Sequence, residues 1–240
     1  MQLLLSNTVK AFLFLFPHSK SKTMSAKTRL KGVVFDMDGT LTVPVIDFAA
    51  MYKAVLGDHE YRRIKAESPS GIDILKHIEN WPSEKQCKAY DTIAHYERLG
   101  IDRLQIMPAE LCGFLDSKKI RRGLITRNVK SAVDLFHERF GIEFSPALSR
   151  EFRPYKPSPA PLLHICSAWE VQPNEVIMIG DSLKDDVACG RQAGTFTCLL
   201  DQTGRYDSPE YANVDFKPDF KVTSLDEVYS VLEVNFNLSP

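Results

Sequence analysis

The sequence predicts an α/β protein, a doubly wound parallel sheet with a small all-helical insertion after its first strand. Short apolar runs that stop abruptly at polar residues recur along the chain, and most are separated by stretches of helical periodicity. Strands alternating with crossover helices make a parallel sheet. One interval, residues 44–115, breaks the alternation and carries helical spacing alone. The 240 residues, 44% hydrophobic and 25% charged, suffice for a core without disulfide or metal staples.

The first strand is expected over residues 31–35, an apolar run ended by Asp36, as in a strand buried on both faces. Helical spacing follows over 46–56, 61–66, 70–78 and 83–99, the last opened by a capping-box pattern from Ser83 to Gln86. Further strands are expected at 123–125, 175–179 and 195–200, with helices over 129–140, 159–169 and 185–193. A second capping-box pattern, Ser224 to Glu227, announces the last helix. The core therefore comprises 30–43 and 116–240, interrupted by the insertion.

Charge separates a further segment. Residues 1–31 hold six basic side chains and no acidic one, so the remainder has 24 basic against 31 acidic groups, a net charge of −7. An acidic body speaks against nucleic acid or an anionic membrane as partner. The leader, drawn at 1–29, joins apolar stretches at 3–5 and 11–16 to Lys, Ser and Thr, the composition of an organelle transit peptide. Lys10 interrupts the apolar core that a secretory signal needs, and no run approaches the ~20 apolar residues of a membrane span. The expected destination is an organelle, chloroplast ahead of mitochondrion, or the cytoplasm if translation starts at Met24. Five cysteines without C-x-x-C or zinc-type spacing fit a reducing compartment.

In an open parallel sheet, ligands bind beyond the carboxyl ends of the strands. Asp36, Asp38, Gly39 and Thr40 follow the first strand, Thr126, Arg127 and Asn128 follow the second, and Asp181, Asp185 and Asp186 follow the third; Lys156 stands ahead of a helix. Carboxylates, a hydroxyl and a lysine converging on one crevice suit a hard cation and a phosphate. Arg127 reads as a solvated surface charge, and the basic run Arg62, Arg63 and Lys65 as a solvated helix face.

The loop Asp36-Met-Asp-Gly-Thr-Leu41, with Thr126, Lys156 and the Gly180-Asp181 cluster in that order, resembles the four motifs of the haloacid dehalogenase-like hydrolases, phosphatase type. The resemblance covers 30 to about 200. It implies a Rossmann-like core whose insertion is a cap that closes over substrate, and a Mg²⁺-dependent phosphatase acting on a small phosphorylated metabolite. Asp36 would form an aspartyl-phosphate, and Asp38 would protonate the leaving alcohol and later deprotonate water. Thr126, Asn128, Lys156 and Gly39 would surround the phosphate. Asp36, Asp38, Asp181 and either Asp185 or Asp186 would hold the metal, Asp185 slightly ahead on a forward count from Asp181. Asp38 speaks against dehalogenation, because a halide leaving group needs no proton. A phosphomutase and a catalytically silent binding protein on the same fold are the alternatives.

Overall fold

The structure, a computed structural model, describes residues 27–42, 46–68, 71–101, 110–211 and 214–239. Most of the expected leader, with Met24, lies outside these residues, as does the start of the insertion at 44–45. The strands are β1 (Thr28–Arg29), β2 (Gly32–Phe35), β3 (Arg121–Ile125), β4 (Ala147–Leu148), β5 (Val176–Gly180), β6 (Phe196–Leu200), β7 (Phe220–Val222) and β8 (Phe236–Asn237). The helices are α1 (Phe48–Leu56), α2 (Asp58–Glu67), α3 (Ile74–Ile78), α4 (Ser83–Ile101), α5 (Glu110–Ser117), α6 (Lys130–Phe140), α7 (Ala160–Ala168), α8 (Ala188–Ala193) and α9 (Leu225–Asn235).

Six strands form one wholly parallel sheet in the order β4-β3-β2-β5-β6-β7. Strand order reverses between β2 and β5, the topological switch point at which the carboxyl ends open a crevice. Both strands are buried throughout, which is why their sequences read as continuous apolar runs rather than alternating ones. Side chains still alternate between faces. Val33 and Phe35 join the layer of α5, α6 and α9, while Val34 joins that of α7 and α8. A separate two-stranded ladder pairs β1 with β8 and ties the two ends of the described chain together.

Helices α1, α3 and α4 share a core of their own, built on Met51, Ile74, Leu75, Ile78, Ala89 and Ile93. α5 falls within the expected insertion yet packs Leu111, Cys112 and Leu115 into the core beside the sheet. The boundary at 115 thus cuts through a helix of the main core, because helical periodicity does not reveal which partner an apolar face meets.

β4 and β7 were not legible, since two or three residues carry no period. Neither capping-box pattern closes as spelled. The Ser224 side chain makes no cap bond; instead Thr223 donates to Glu227, at 3.0 Å through its main-chain N–H and 2.7 Å through its hydroxyl. Gln86 donates its amide to the carbonyls of Ile78 and Glu79, which links α4 to α3. The expected helix over 185–193 begins earlier, as a π-helical turn over Leu183–Val187 that continues into α8.

Candidate active site

The first site loop turns sharply where β2 ends. Met37 O accepts from the N–H groups of Leu41 and Thr42 and from the Thr42 hydroxyl, which folds the loop back on itself. Gly39 stands at φ +88°, and a Cβ there would lie 2.7 Å from Asp181 Oδ2. Its N–H donates to Thr42 O at 2.9 Å. Gly39 thereby shapes the loop and lets Asp181 approach.

Lys156 stands at the centre of the charged groups. Its ammonium donates to Asp36 Oδ1 and Asp186 Oδ1, each at 2.6 Å, and it is 2% exposed. Asp36, Asp181 and Asp186 bring carboxylate oxygens within 4.8 Å of one another. Asp38 turns the other way, where Oδ2 accepts from Asn128 Nδ2 at 3.2 Å and Thr126 Oγ1 at 3.4 Å. Thr126 Oγ1 in turn accepts from the Asn128 N–H at 3.0 Å. Strand ends from β2, β3 and β5 thus converge, together with the loop carrying Lys156.

Of the two adjacent aspartates, Asp186 is the one that joins the acidic cluster. The π turn, in which Val187 N–H reaches back five residues to Ser182 O, aims Asp186 inward. There its Oδ2 accepts from the Ser182 N–H at 3.0 Å. Gly180 makes room, since a Cβ on it would sit 2.2 Å from Asp186 Cγ. Asp185, which the forward count put ahead, lies outside the acidic cluster and accepts two bonds from Arg127, at 3.0 and 3.1 Å.

Arg127 is consequently not a solvated charge. It also donates to Asp73 at 2.5 Å, so one guanidinium joins the core to the N-terminus of α3. Sequence reading also missed Arg150, which donates to Glu97 of α4 at 2.6 Å, and Arg205, whose Nη2 reaches Asp181 Oδ2 at 3.1 Å. None carries a local signal, because each partner is far away in sequence. All three arginines line the same cavity of about 700 Å³ between the sheet and α1, α3 and α4.

Electrostatics follow from burial. Removal from water pushes Asp36 and Asp186 up to about 7, against the pull of Lys156. Burial likewise raises Asp38 to about 6, countered by the Asn128 bond, and Asp181 to about 6, with Asp186 adding to the rise. Burial alone would lower Lys156, but Asp186 and Asp36 outweigh it and raise its pKa, so it stays cationic. Three clustered carboxylates sharing one buried lysine leave excess negative charge, and an all-oxygen donor set of this kind fits Mg²⁺.

The family model "haloacid dehalogenase-like hydrolase" matches residues 30–194. A haloacid dehalogenase-like hydrolase domain-containing protein of Arabidopsis thaliana is 70% identical over 220 residues, covering 91% of this chain and 90% of that one. A phosphoglycolate phosphatase of Chromobacterium violaceum is 28% identical over 222 residues, or 85% and 97% of the two chains. Among solved structures, a predicted phosphoglycolate phosphatase from Haemophilus somnus superposes with a TM-score of 0.62 at 21% identity, covering 85% of this chain and 98% of that one. A 2-haloacid dehalogenase from Pseudomonas syringae gives 0.55 at 21% identity, over 85% and 99%. The shared fold does not choose between these chemistries.

Proposed function

Because this chain belongs to the haloacid dehalogenase-like hydrolases, we propose that it is a Mg²⁺-dependent phosphatase that hydrolyses a small phosphate monoester through an aspartyl-phosphate on Asp36. The observation that carries this reading is the different company of two aspartates on one strand end. Asp36 is ion-paired to Lys156 at 2.6 Å, whereas the Asp38 carboxyl is bonded, among the described residues, to the neutral side chains of Thr126 and Asn128. Burial leaves Asp36 at about 7 and Asp38 at about 6 before any cation is bound. Mg²⁺ beside Asp36 would ionise it for attack, whereas Asp38, whose carboxyl would face the leaving group rather than the ion, can carry a proton.

Asp36 attacks phosphorus while Lys156 and Thr126 bind the phosphoryl oxygens. The bond from phosphorus to the alcohol oxygen breaks, and Asp38 gives its proton to that oxygen. Asp38, now a carboxylate, takes a proton from water, whose oxygen attacks phosphorus and releases inorganic phosphate and free Asp36. Asp36, Asp181 and Asp186, with the main-chain carbonyl of Asp38, would hold Mg²⁺, which when bound neutralises charge on the phosphoryl group. Helices α1, α3 and α4 serve as the cap that excludes bulk water.

The purified protein should release p-nitrophenol from p-nitrophenyl phosphate with Mg²⁺ and stop when EDTA is added; activity that ignores the metal would refute the reading. Asp36→Asn should abolish turnover while leaving the circular dichroism spectrum intact. The leader, drawn at residues 1–29, is proposed to direct the chain to an organelle, chloroplast ahead of mitochondrion. Residues 1–31 fused to a fluorescent reporter test this, and diffuse cytosolic fluorescence would reject it.

A further inference from the structure

The cavity wall away from the phosphate site carries one feature that phosphoryl transfer does not explain. Glu97, on the cap helix α4, lines the cavity and is 6% exposed. Its Oε1 is held by Arg150 at 2.6 Å, but its buried Oε2 has no hydrogen-bond partner among the described residues. A buried carboxylate oxygen left without a donor is costly, and native structures rarely keep one without a reason. The terminal torsion of a glutamate is broad. Rotation about it would bring Oε2 toward the cavity that Glu97 lines.

The surroundings say what kind of donor would arrive. The helical wall of the cavity is largely apolar, from Ile46, Met51, Leu75 and Ile93, and its side-chain donors, Tyr52 and Lys76, leave Glu97 Oε2 unbonded. The three arginines of the described lining are all engaged, Arg127 by Asp73 and Asp185, Arg150 by Glu97 and Arg205 by Asp181. A substrate carboxylate placed beside Glu97 would meet that charge, and would have to turn away toward Lys76 or Lys184 of the lining or break one of these pairs to gain a guanidinium fork. A hydroxyl would instead complete Glu97 at no such cost.

We propose that Glu97 is a specificity-determining residue whose Oε2 accepts a hydrogen bond from a hydroxyl of the alcohol being released, so that the substrate is the phosphate ester of an uncharged, hydroxylated alcohol. This rests on the phosphatase reading and narrows its substrate class. Esters with a carboxylate on the alcohol part, phosphoglycolate among them, are disfavoured in this cavity.

The test compares glycerol 3-phosphate with n-propyl phosphate, which matches its length and lacks both hydroxyls, and with phosphoglycolate. The wild-type kcat/KM should favour the glycerol ester over the propyl ester by about 10–100-fold, the worth of a hydrogen bond to a charged group, and should be lowest for phosphoglycolate. Glu97→Gln keeps an acceptor for Arg150 but weakens the bond to substrate, so the preference should fall several-fold. Glu97→Leu combined with Arg150→Met removes the pair without stranding a charge, and the preference should then vanish. Equal kcat/KM for the glycerol and propyl esters, efficient phosphoglycolate hydrolysis, or a preference untouched in both variants would overturn the assignment. If no ester, p-nitrophenyl phosphate included, is turned over, the phosphatase reading fails separately. Calorimetric binding of the glycerol and propyl esters to the unsubstituted protein, which then turns neither over, still decides on Glu97, tighter binding of the glycerol ester supporting it and equal affinity overturning it.

Discussion

Two adjacent aspartates, Asp185 and Asp186, have the same side chain and opposite surroundings. Asp186 is 1% exposed and bonded to Lys156, whereas Asp185 is spent on Arg127. Asp186→Asn should therefore weaken Mg²⁺ binding more than tenfold, the lower end for a carboxylate built into a cation site, while Asp185→Asn changes it by less than about threefold. Calorimetric titration with Mg²⁺ separates the two, and equal effects would contradict the placement. Asp38→Asn should lower kcat by about 10²–10⁴, the usual worth of a general acid–base group, while phosphate still binds as judged by product inhibition. Asp36, Asp38, Thr126, Lys156 and Asp181 were readable one by one because motif spacing at strand ends is a local property. Glu97, Arg127, Arg150 and Arg205 were not, because their significance lies in partners from 24 to 58 residues away.

At the scale of elements, the site depends on how closely β5 approaches the π turn. Gly180 closes β5 with no space for even a methyl group, as its Cβ would overlap the Asp186 carboxyl at 2.2 Å. Gly180→Ala should cost about 1–3 kcal/mol of stability, the range for overpacking a filled interior, and should also raise the Mg²⁺ needed for half-maximal activity. Urea unfolding and a metal titration read the two effects, and loss of stability without loss of metal affinity would place Asp186 elsewhere. On the cap side, Asp73 accepts from the Lys76 N–H at the start of α3 and also receives Arg127. Asp73→Ala should remove a helix cap, at about 1 kcal/mol, and free the guanidinium. A thermal melt measures the first effect. A rise in KM with kcat little changed would report the second, since the pair joins the cap to the core.

Across the whole molecule, burial raises the carboxyls of one crevice, to about 7 for Asp36 and Asp186 and about 6 for Asp38 and Asp181, each from an ordinary 3.8, with Glu97 of the same cavity shifted in the same direction. Between these limits the folded chain binds protons that the unfolded chain has already released. Stability of the metal-free protein must then fall as pH rises from about 4 to about 7. In the proposed function Mg²⁺ needs the carboxylates ionised and binds only the folded state, so it should reverse that loss. The gap in Tm between Mg²⁺-loaded and EDTA-treated protein should widen from pH 5 to pH 8; a constant gap would show that the crevice does not bind the ion. The same concentration of negative charge leaves the acidic body, at −7 beyond residue 31, with part of its charge assigned to chemistry.

By itself the sequence determined the alternating strands and helices, the helical insertion and the motif residues at each strand end, because apolar period and motif spacing are written in neighbouring positions. Tertiary structure alone decided the rest. It set the sheet order that brings β2 beside β5, the assignment of α5 to the core, the inward turn of Asp186 rather than Asp185, and the ion pairs that Arg127 and Arg150 make with the cap. Those outcomes depend on distances between residues far apart in the chain. They are fixed only when burial forces each charge to find a partner.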